Sequence, residues 1–394
     1  MKTFKTQIYL NQYAEAYCTR AFGVRRVVWN WALDQFLTGK KTTGQMPNNY
    51  DLDGIYRKKL KACEDPTFKW LLKQQTSPLI MMECLKSLVA SFKLSKTQMK
   101  KNHTKGIHPQ FKTKKDRLQT FSYYHSKDSY YRIDGPFTVS IGTQKGLPRC
   151  EFRTAENVGW MKSNNIKLCL MTVSKRAGKY WLSISYEKLN QTEKKPTLKG
   201  KVGIDLGVVK SAVTYDGNEV KTYQFNTEKS LHNERLSKRL DVKLSRMKKG
   251  SNRYEKLLLL KERREIRAAN QRKALLEELT THLANTYAEI VIDDFSFKSA
   301  LSCKNLKNVQ KKAVRQKAYR CMVYAFKERL AAKAADTRAQ IRFAEHHKGV
   351  KTTMKCSSCG SERVSIDTNR IMTCPRCGKV IDRDVNAAIN CYNL

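Results

Sequence analysis

Four cysteines in the last fifty residues have the spacing of a metal site. They form two pairs, Cys356-x-x-Cys359 and Cys374-x-x-Cys377, with fourteen residues between the pairs and a glycine directly after each pair. A CxxC turn directs two thiolates at one point, and two such turns complete a tetrahedral Cys₄ zinc site. Because no coordination position is left for a substrate, we predict one structural Zn²⁺. The other eight cysteines are scattered singly, which is typical of a reducing compartment and not of a disulfide framework.

Three aspartates far apart in the chain could provide a second kind of metal site. Asp205 lies inside the apolar run 202–206, where an unpaired charge is costly. Asp293 ends the apolar run 290–293, and Asp384 lies at the start of the last predicted helix. Each aspartate alone could be a turn or cap residue. Brought together, their carboxylates would suit hard divalent cations such as Mg²⁺.

The elements that must position these aspartates follow one another in a recognisable order. The pattern predicts three strands from residue 201 with tight turns, and then helices over about 227–287 with a break near Gly250. A strand in 289–295, helices over about 308–337, a strand over 340–344 and a helix from about Asp384 come next. This is the connectivity of an RNase H-like α/β domain, a fold in which such carboxylates converge on divalent metals.

The N-terminal half changes its hydrophobic period twice. We predict a strand over Thr3–Leu10, helices over about 12–37 with a break at 23–26, a polar loop containing Gly39, and a second helical block over about 51–104. From about 106 to 186 the period becomes two, which predicts an antiparallel barrel or sandwich with the helices inserted into it. The polar linker Asn190–Gly200 is the expected domain boundary.

The charge balance points to a polyanionic partner. The 394 residues contain 77 Lys+Arg and 35 Asp+Glu, a net charge of +42, and 40% hydrophobic residues argue against a disordered chain. Nucleic acid is the expected partner, and a membrane-surface protein or a merely basic protein is the alternative. The segment 235–273 alone has fifteen basic and four acidic residues. With neither a membrane-spanning run nor a secretory h-region in the sequence, we expect a cytoplasmic, nucleoid-associated protein without membrane contact.

The C-terminal half resembles the RuvC nuclease domain of bacterial TnpB proteins and of the related type V CRISPR effectors. Five blocks carry the resemblance, and together they span about half of the chain: GIDLG at 203–207, IVIDDF at 290–295, CSSCG at 356–360, CPRCG at 374–378 and DRDVNAAIN at 382–390. The N-terminal half is more loosely similar, through QIYL at 7–10, GVRRVVWNWAL at 23–33 and PQFKTKK at 109–115.

The resemblance implies an α+β multidomain protein. Its parts would be a wedge β-barrel (residues 1–10 and 105–190), an inserted helical recognition lobe (11–104), an RNase H-like RuvC nuclease domain (198–345 and 379–394) and a target-binding Cys₄ zinc ribbon (346–378). It also implies a guide RNA that pairs with one strand of a double-stranded DNA target beside a short adjacent motif. We expect one protein copy per RNA and leave a dimer open. The guide could derive from a transposon end or from a CRISPR array.

The implied chemistry is two-metal phosphodiester hydrolysis with Mg²⁺. The metals would lie about 3.5–4 Å apart. Asp205 would bridge both ions, and Asp293 and Asp384 would each complete one site. In the family the second position is usually Glu, and Asp293 is shorter by one bond, about 1.5 Å. The alternative is therefore an RNA-guided DNA-binding repressor that does not cut. A zinc-ribbon protein of RNA metabolism would leave Asp205 and the 382–390 block unexplained.

Candidate contacts with nucleic acid are less specific. By position, the resemblance places reading of the adjacent motif near Gln74, Gln75 and Ser77 on the helical block, and near Ser122 and Tyr123 on a strand. Glutamine can contact adenine through two hydrogen bonds, and tyrosine can stack on a base. Arg25 and Arg26 could bind RNA or a phosphate, or they could be a solvated pair. The basic candidates on the later helices are Arg246, Lys248, Lys249, Arg253, Arg267 and Arg272.

Overall fold

The computed structural model describes residues 1–43, 48–102, 109–125, 131–142, 147–189, 198, 200–294, 308–344 and 350–394. The chain divides into two compact units, residues 1–193 and 194–394. Their boundary falls within the predicted linker, whose residues 190–197 and 199 lie outside the described residues. Gly44 and Pro47, which belong to the polar loop predicted after the first helical segment, and Cys303, one of the eight single cysteines, also lie outside them. In the described residues no helix is both long and apolar enough to cross a membrane.

The first unit combines a curled antiparallel sheet with a group of helices. Its strands are β1 (Lys2–Leu10), β2 (Leu118–Tyr124), β3 (Tyr131–Gly135), β4 (Thr138–Ile141), β5 (Cys150–Thr154), β6 (Ile166–Arg176) and β7 (Lys179–Lys188). Its helices are α1 (Gln12–Thr43), α2 (Asn49–Ala62), α3 (Pro66–Lys73) and α4 (Pro78–Asn102), with a short 3-10 helix at Gly159–Lys162. As predicted, β1 precedes the helices and pairs with strands that follow them.

The seven strands follow the order β2-β6-β7-β1-β5-β4-β3, so β2 and β3 are the ends of the sheet in the described residues. The two ends lie close to each other. The Tyr131 hydroxyl of β3 donates a hydrogen bond at 3.1 Å to the Cys169 carbonyl of β6, the strand next to β2. His125, just after β2, also contacts the Tyr131 ring with centroids 5.0 Å apart. The sheet is thus curled, while a closed set of strand pairings is not seen among the described strands.

The predicted helix break at residues 23–26 is wrong, and so is the loop at Gly39. Helix α1 runs without interruption from Gln12 to Thr43. Gly23 has a packing role instead, because a Cβ at this position would lie 3.3 Å from the indole of Trp70 on α3. The glycine therefore allows α3 to approach α1 closely. Gly23 was predicted to mark a helix end, but its role is in the packing of these two helices.

The second unit is built on a five-stranded mixed sheet. Its strands are β8 (Lys201–Leu206), β9 (Ala212–Tyr215), β10 (Val220–Tyr223), β11 (Glu289–Asp293) and β12 (Gln340–Ala344). Its helices are α5 (Glu228–Ser245), α6 (Asn252–Thr286), α7 (Asn308–Cys321), α8 (Val323–Thr337) and α9 (Arg383–Asn393). The sheet order is β10-β9-β8-β11-β12, with β8, β11 and β12 parallel and β9 and β10 antiparallel. The predicted order of elements is confirmed.

The two faces of this sheet have different environments because successive side chains of a strand point to opposite faces. On one face Val202, Ile204 and Leu206 join the apolar core with α6 and α8. On the other face Gly203 and Asp205 lie beneath α9, whose Ala388 carbonyl and Tyr392 nitrogen would come within 2.2 and 2.3 Å of a Cβ added to Gly203. A glycine is required here for α9 to pack directly on the strand.

The cysteine-bearing segment forms a separate small sheet. Its strands are β13 (Ser365–Ile366), β14 (Ile371–Thr373) and β15 (Val380–Asp382), paired antiparallel in that order. The predicted boundary between ribbon and nuclease domain at residues 378 and 379 needs correction, because β15 belongs to the ribbon sheet. Since β15 leads directly into α9, the ribbon and the helix that carries Asp384 are continuous.

Candidate metal centres

The four predicted cysteine ligands converge on one point. Their sulfur atoms all lie within 4.8 Å of one another. The Sγ atoms of Cys356 and Cys377 are 3.6 Å apart, and those of Cys359 and Cys374 are 3.5 Å apart. Tetrahedral zinc with Zn–S bonds of about 2.3 Å requires S···S distances of about 3.8 Å. The cysteine cluster therefore fits a structural Zn²⁺.

The two cysteine turns have the same backbone geometry. The N–H of Gly360 donates to the Cys356 carbonyl at 2.9 Å, and the N–H of Gly378 donates to the Cys374 carbonyl at 2.9 Å. Both glycines have positive φ angles, 73° and 71°, which side-chain-bearing residues rarely adopt. Burial opposes the thiolate of Cys374, but N–H groups of Cys377 and Arg376 outweigh it and lower its pKa to about 6. The backbone N–H groups of the second turn thus favour the thiolate of Cys374, whereas the neighbouring cysteines Cys359, Cys356 and Cys374 raise the pKa of Cys377.

The parallel pairing of β8 and β11 places two of the predicted aspartates side by side. Ile292 of β11 is paired with Ile204 of β8, so the next residues, Asp293 and Asp205, follow each other in register at the carboxyl ends of the strands. Both side chains are almost fully buried, with 5% and 7% exposure. They share the sheet face on which α9 packs.

Helix α9 brings the third aspartate to the same end of the sheet. Asp382 caps the helix, and its side chain accepts hydrogen bonds from the N–H groups of Asp384 at 2.9 Å and Val385 at 3.2 Å. The Lys210 ammonium, which follows β8, lies 2.7 Å from the Asp382 carboxylate. Asp384 is 3% exposed. The cap and the lysine together fix the helix end that carries Asp384 over the sheet.

The electrostatics of Asp205 reflect this convergence. Burial, followed by the negative charges of Asp293 and Asp384, raises its pKa to about 8, and Arg383 and Arg370 offset part of the effect. A carboxylate in such a position is costly without a cation nearby. The three-aspartate cluster therefore has the electrostatic character of a site that a divalent cation would stabilise.

Two further residues hold the carboxylates in place. The buried hydroxyl of Thr352 donates to Asp293 Oδ1 at 2.6 Å. The guanidinium of Arg370, in the ribbon, pairs with Asp384 Oδ1. The other carboxylate oxygen of Asp384 is buried without a hydrogen-bond partner in the described residues. An unpartnered carboxylate oxygen among buried acids is a position where a metal ion would fit.

The aspartate cluster is looser than the cysteine cluster. Within the described ranges, the cysteines are the one set of three or more candidate ligands whose donor atoms all lie within 4.8 Å of one another. Neighbouring acids do not supply a closer donor: Asp294 is exposed and pairs with Lys327 at 3.0 Å, and Glu289 pairs with Arg342 at 2.9 Å at the far end of β11. The donor set fits hard divalent cations, which would draw the three carboxylates together.

Buried asparagines connect the zinc ribbon to α9. The side chain of Asn386 accepts from the Ser357 N–H at 2.9 Å and donates to the Lys355 carbonyl at 2.7 Å. Asn390 also donates to the Lys355 carbonyl, at 2.7 Å, and to the Thr352 carbonyl at 2.6 Å. The position of Asp384 therefore depends on the fold of the ribbon.

Three of the predicted nucleic-acid contacts are core residues, and those predictions need correction. Ser77 and Tyr123 are both 0% exposed, and Tyr123 shares a 2.5 Å hydrogen bond with the hydroxyl of Tyr17. Arg272 is 2% exposed and donates to Glu234 at 2.5 Å. Glu234 also accepts from Arg320 on α7 at 2.6 Å, so this network joins helices and does not offer a free cation.

The other predicted contacts are accessible. Gln75 is exposed, Gln74 is half-buried at the end of α3, and Ser122 is half-buried with its hydroxyl 2.9 Å from that of Thr172. Arg25 and Arg26 are half-buried on α1. The remaining basic candidates in the α5 and α6 region are all exposed; they are Arg246, Lys248, Lys249, Arg253 and Arg267.

Sequence reasoning missed the residues that support the aspartates. Arg370, Thr352 and Lys210 lie far from their partners along the chain, and no local spacing marks them. Arg370 also has a positive φ of 67°, a backbone conformation that is uncommon for residues other than glycine, and the sequence does not reveal it. The asparagines of the 382–390 block could have been noticed, since buried amides on a helix need partners.

Three family models match parts of the chain. They are described as "Cas12f1-like, TNB domain" (residues 324–391), "Probable transposase" (183–303) and "Helix-turn-helix domain" (1–37). The last of these matches a region that folds here as β1 and part of the single helix α1. The first model covers the ribbon and most of α9, and the second covers the stretch from within β7 to beyond β11.

Curated proteins match over different lengths. One is "Putative RNA-guided DNA endonuclease InsQ" of Escherichia coli strain K12, 33% identical over 35% of this chain and 34% of the relative. "TnpB-like protein L79" of Acanthamoeba polyphaga mimivirus is 27% identical over 49% of this chain and 36% of the relative. The chain thus matches about a third of the length of these two relatives. A protein of Streptomyces pristinaespiralis, "Putative RNA-guided DNA endonuclease", is 26% identical over 99% of this chain and 88% of the relative.

A solved structure shares the fold. The Cas12f1 chain of "Cryo-EM structure of the Cas12f1-sgRNA-target DNA complex" superposes with a TM-score of 0.53 at 13% identity, over 100% of this chain and 98% of that chain. At this identity the similarity concerns the fold alone.

Proposed function

We propose, from the membership of this chain in the family of TnpB proteins and related type V effectors, that it is an RNA-guided DNA endonuclease. One observation carries the proposal: three buried aspartates from two adjacent parallel strands and a helix lie at one end of the sheet of the second unit. This second unit would be the RuvC domain. The curled sheet and helices of the first unit would be the wedge and the recognition lobe.

The chemistry would be phosphodiester hydrolysis at the aspartate cluster. When bound, a pair of Mg²⁺ ions supplies water activation and stabilisation of the leaving oxygen. Asp205 lies close enough to the other two carboxylates for both of their charges to raise its pKa. It would serve both ions, and Asp293 and Asp384 would each complete one site. Thr352 fixes the orientation of Asp293 by its hydrogen bond. Arg370, which pairs with Asp384, would present its guanidinium to the phosphate of the cut strand.

The exposed basic residues of the α5 and α6 region would bind the nucleic acid backbone. They lie between β10 and β11, with few acidic neighbours to neutralise them. The guide RNA would read the DNA by base pairing, and the protein would hold the duplex by its backbone beside a short adjacent motif. Arg272 is excluded from this surface because Glu234 already pairs with it in the interior.

The decisive experiment combines RNA identification with cleavage. We would sequence the RNA that co-purifies with the full chain and then assay cleavage of a matching DNA duplex with Mg²⁺. Asp205→Ala should abolish cleavage and leave RNA binding intact. Asp294→Ala is the matched control, because its exposed carboxylate lies next to Asp293 and points away from the cluster. A heterogeneous RNA population without a common scaffold would overturn the proposal.

The alternative is an RNA-guided DNA-binding repressor that does not cut. It is favoured by the short Asp293 side chain and by the distances within the aspartate cluster, which exceed 4.8 Å for at least one donor pair in the described residues. The complex would then bind its target without cutting at any Mg²⁺ or Mn²⁺ concentration. Asp293→Glu tests the cause, because the longer side chain should introduce cleavage if reach is what limits the site.

A further inference from the structure

A group of cations in the first unit is assembled around one indole ring. The Lys112 ammonium lies 4.1 Å from the centroid of the Trp29 ring, and the Arg25 guanidinium lies 5.6 Å from it. Each contact is a cation–π interaction, and both share one aromatic side chain. Two like charges are therefore brought close together on a partly buried surface.

The backbone holds Lys112 in this position. Asn30 on α1 donates from its side-chain amide to the Lys112 carbonyl at 2.9 Å, and it accepts from the Lys112 N–H at 2.7 Å. The Trp29 indole donates to the Gln110 carbonyl at 2.9 Å. These three hydrogen bonds tie the extended segment before β2 to α1. The backbone of Lys112 is thus positioned by the fold, and the Trp29 ring contacts its ammonium.

Arg25 is held from the other side. Its guanidinium donates to the Thr120 hydroxyl of β2 at 2.7 Å. Together with Arg26 and Lys112 it lines a narrow cleft between α1 and the start of β2; the other lining residues are Phe22, Thr113, Asp116, Leu118, Gln119 and Thr120. The cleft therefore places three cations around one space.

The cleft has three cations and one carboxylate, that of Asp116, so its positive charges are only partly balanced from within. In the described part of the chain, no carboxylate forms an ion pair with Arg25, Arg26 or Lys112. Asp116, the acidic residue among those lining the cleft, accepts at one oxygen from the Thr113 hydroxyl at 2.7 Å and at the other from the Thr113 N–H at 3.1 Å. Burial and then the neighbouring Arg25 lower the pKa of Lys112 to about 8. The free protein thus bears an electrostatic cost here that an anion would relieve.

We propose that this cleft, formed by Arg25, Arg26 and Lys112, is a preorganised site for a backbone phosphate of a bound nucleic acid. Guanidinium and ammonium groups match phosphate oxygens, and donors fixed in advance bind without a large loss of side-chain entropy. The Thr120 hydroxyl and the Gln119 amide on the rim can provide further hydrogen bonds. The site lies within the first unit and is separate from the aspartate cluster, so it does not depend on cleavage.

The test measures binding without added Mg²⁺. The probes are a labelled single-stranded RNA and a labelled DNA duplex of equal length, titrated by fluorescence anisotropy over a range of salt concentrations. Lys112→Met keeps the aliphatic contact with Trp29 and removes the charge. Lys115→Met is the matched control, because Lys115 is exposed in the same segment and does not line the cleft. Both variants change the net charge equally.

Loss of one phosphate contact reduces the slope of log affinity against log salt by about 0.7 for a single strand and about 0.9 for a duplex. At 0.1 M salt this corresponds to an affinity loss of about 5-fold for RNA or about 8-fold for duplex DNA. Lys112→Met should show this loss with one or both probes, and the probe affected identifies which nucleic acid supplies the phosphate. Lys112→Arg should restore most of the affinity.

The proposal is overturned if Lys112→Met and Lys115→Met give the same affinities and the same salt slopes with both probes. A thermal unfolding scan of each variant confirms that the chain is folded. Should Lys112→Met fail to fold, Arg26→Met provides the same test, since Arg26 lines the cleft and its side chain is only half-buried. If the wild-type protein binds nucleic acid but does not cut DNA, the result argues against the proposed nuclease activity and does not affect the proposed phosphate site.

Discussion

The tight packing of α9 on β8 predicts that Gly203→Ala disables the aspartate cluster. The added Cβ would lie 2.2 Å from the Ala388 carbonyl oxygen and 2.3 Å from the Tyr392 nitrogen, both of which are backbone atoms. No side-chain rotation can relieve such a contact. Reaching an ordinary separation of 3.4 Å from the oxygen requires α9 to move by about 1.2 Å.

The consequences follow from where Asp384 lies on the same helix, one turn before Ala388. Catalytic constellations tolerate displacements of about 0.5 Å, and a 1 Å misplacement can reduce a rate about 100-fold. We expect a cleavage rate lower by about 100-fold or more. Overpacking of this kind costs about 1–3 kcal/mol, which corresponds to a melting temperature lower by roughly 2–12 °C for a unit of this size.

The assay compares Gly203→Ala with Gly54→Ala. Gly54 lies in α2, and a Cβ there would meet nothing within 4 Å, so alanine should raise stability by up to about 1 kcal/mol and leave cleavage unchanged. Thermal unfolding with and without Mg²⁺ provides a readout that does not need cleavage. Wild-type cleavage and wild-type stabilisation by Mg²⁺ in Gly203→Ala would refute the proposed role of α9.

Three further predictions concern charge and metal. Because the pKa of Asp205 is raised to about 8, the folded state favours its protonated form, so the contribution of Asp205 to stability measured without Mg²⁺ should be largest at about pH 4 and below and fall by up to about 1.4 kcal/mol per pH unit towards pH 8. Asp205→Asn should flatten this profile in melting scans over that range, and an unchanged slope would contradict the assignment. Cys374→Ser should abolish binding of the proposed structural Zn²⁺, measured by metal analysis, and should impair cleavage because the ribbon positions α9; full activity in zinc-free protein would refute this coupling. Lys210→Met should lower stability by about 1 kcal/mol or less and reduce cleavage several-fold, since it removes the contact to the Asp382 cap; Lys221→Met, at an exposed pair, is its control and should change neither.

The sequence by itself predicted the elements that depend on local pattern. The alternation of β6 and β7 and the apolar runs of β8 and β11 each reflect the chain's own periodicity. The four cysteine ligands could also be predicted from the sequence, because a CxxC turn is a local structure and its spacing determines the geometry. The order of strands and helices in the second unit followed from these elements.

Only the tertiary structure decided which residues share a space. The break predicted near Gly23 failed because that glycine accommodates Trp70 from another helix. Tyr123 and Arg272 were predicted as surface contacts, but the hydroxyl of Tyr17 and the carboxylate of Glu234 satisfy them in the interior. Burial and partner choice depend on long-range packing, which a local pattern does not encode.

The aspartate cluster shows the same division. The sequence identified Asp205, Asp293 and Asp384 by type and position, because a carboxylate within or beside an apolar run is costly to bury unless it is paired or binds a metal. Their proximity required the parallel register of β8 with β11 and the seating of α9 on Gly203. Parallel strands are joined through long connections, so their register is fixed by packing and not by a turn. The chemistry of the candidate site is thus carried by residue types, and its geometry by the fold.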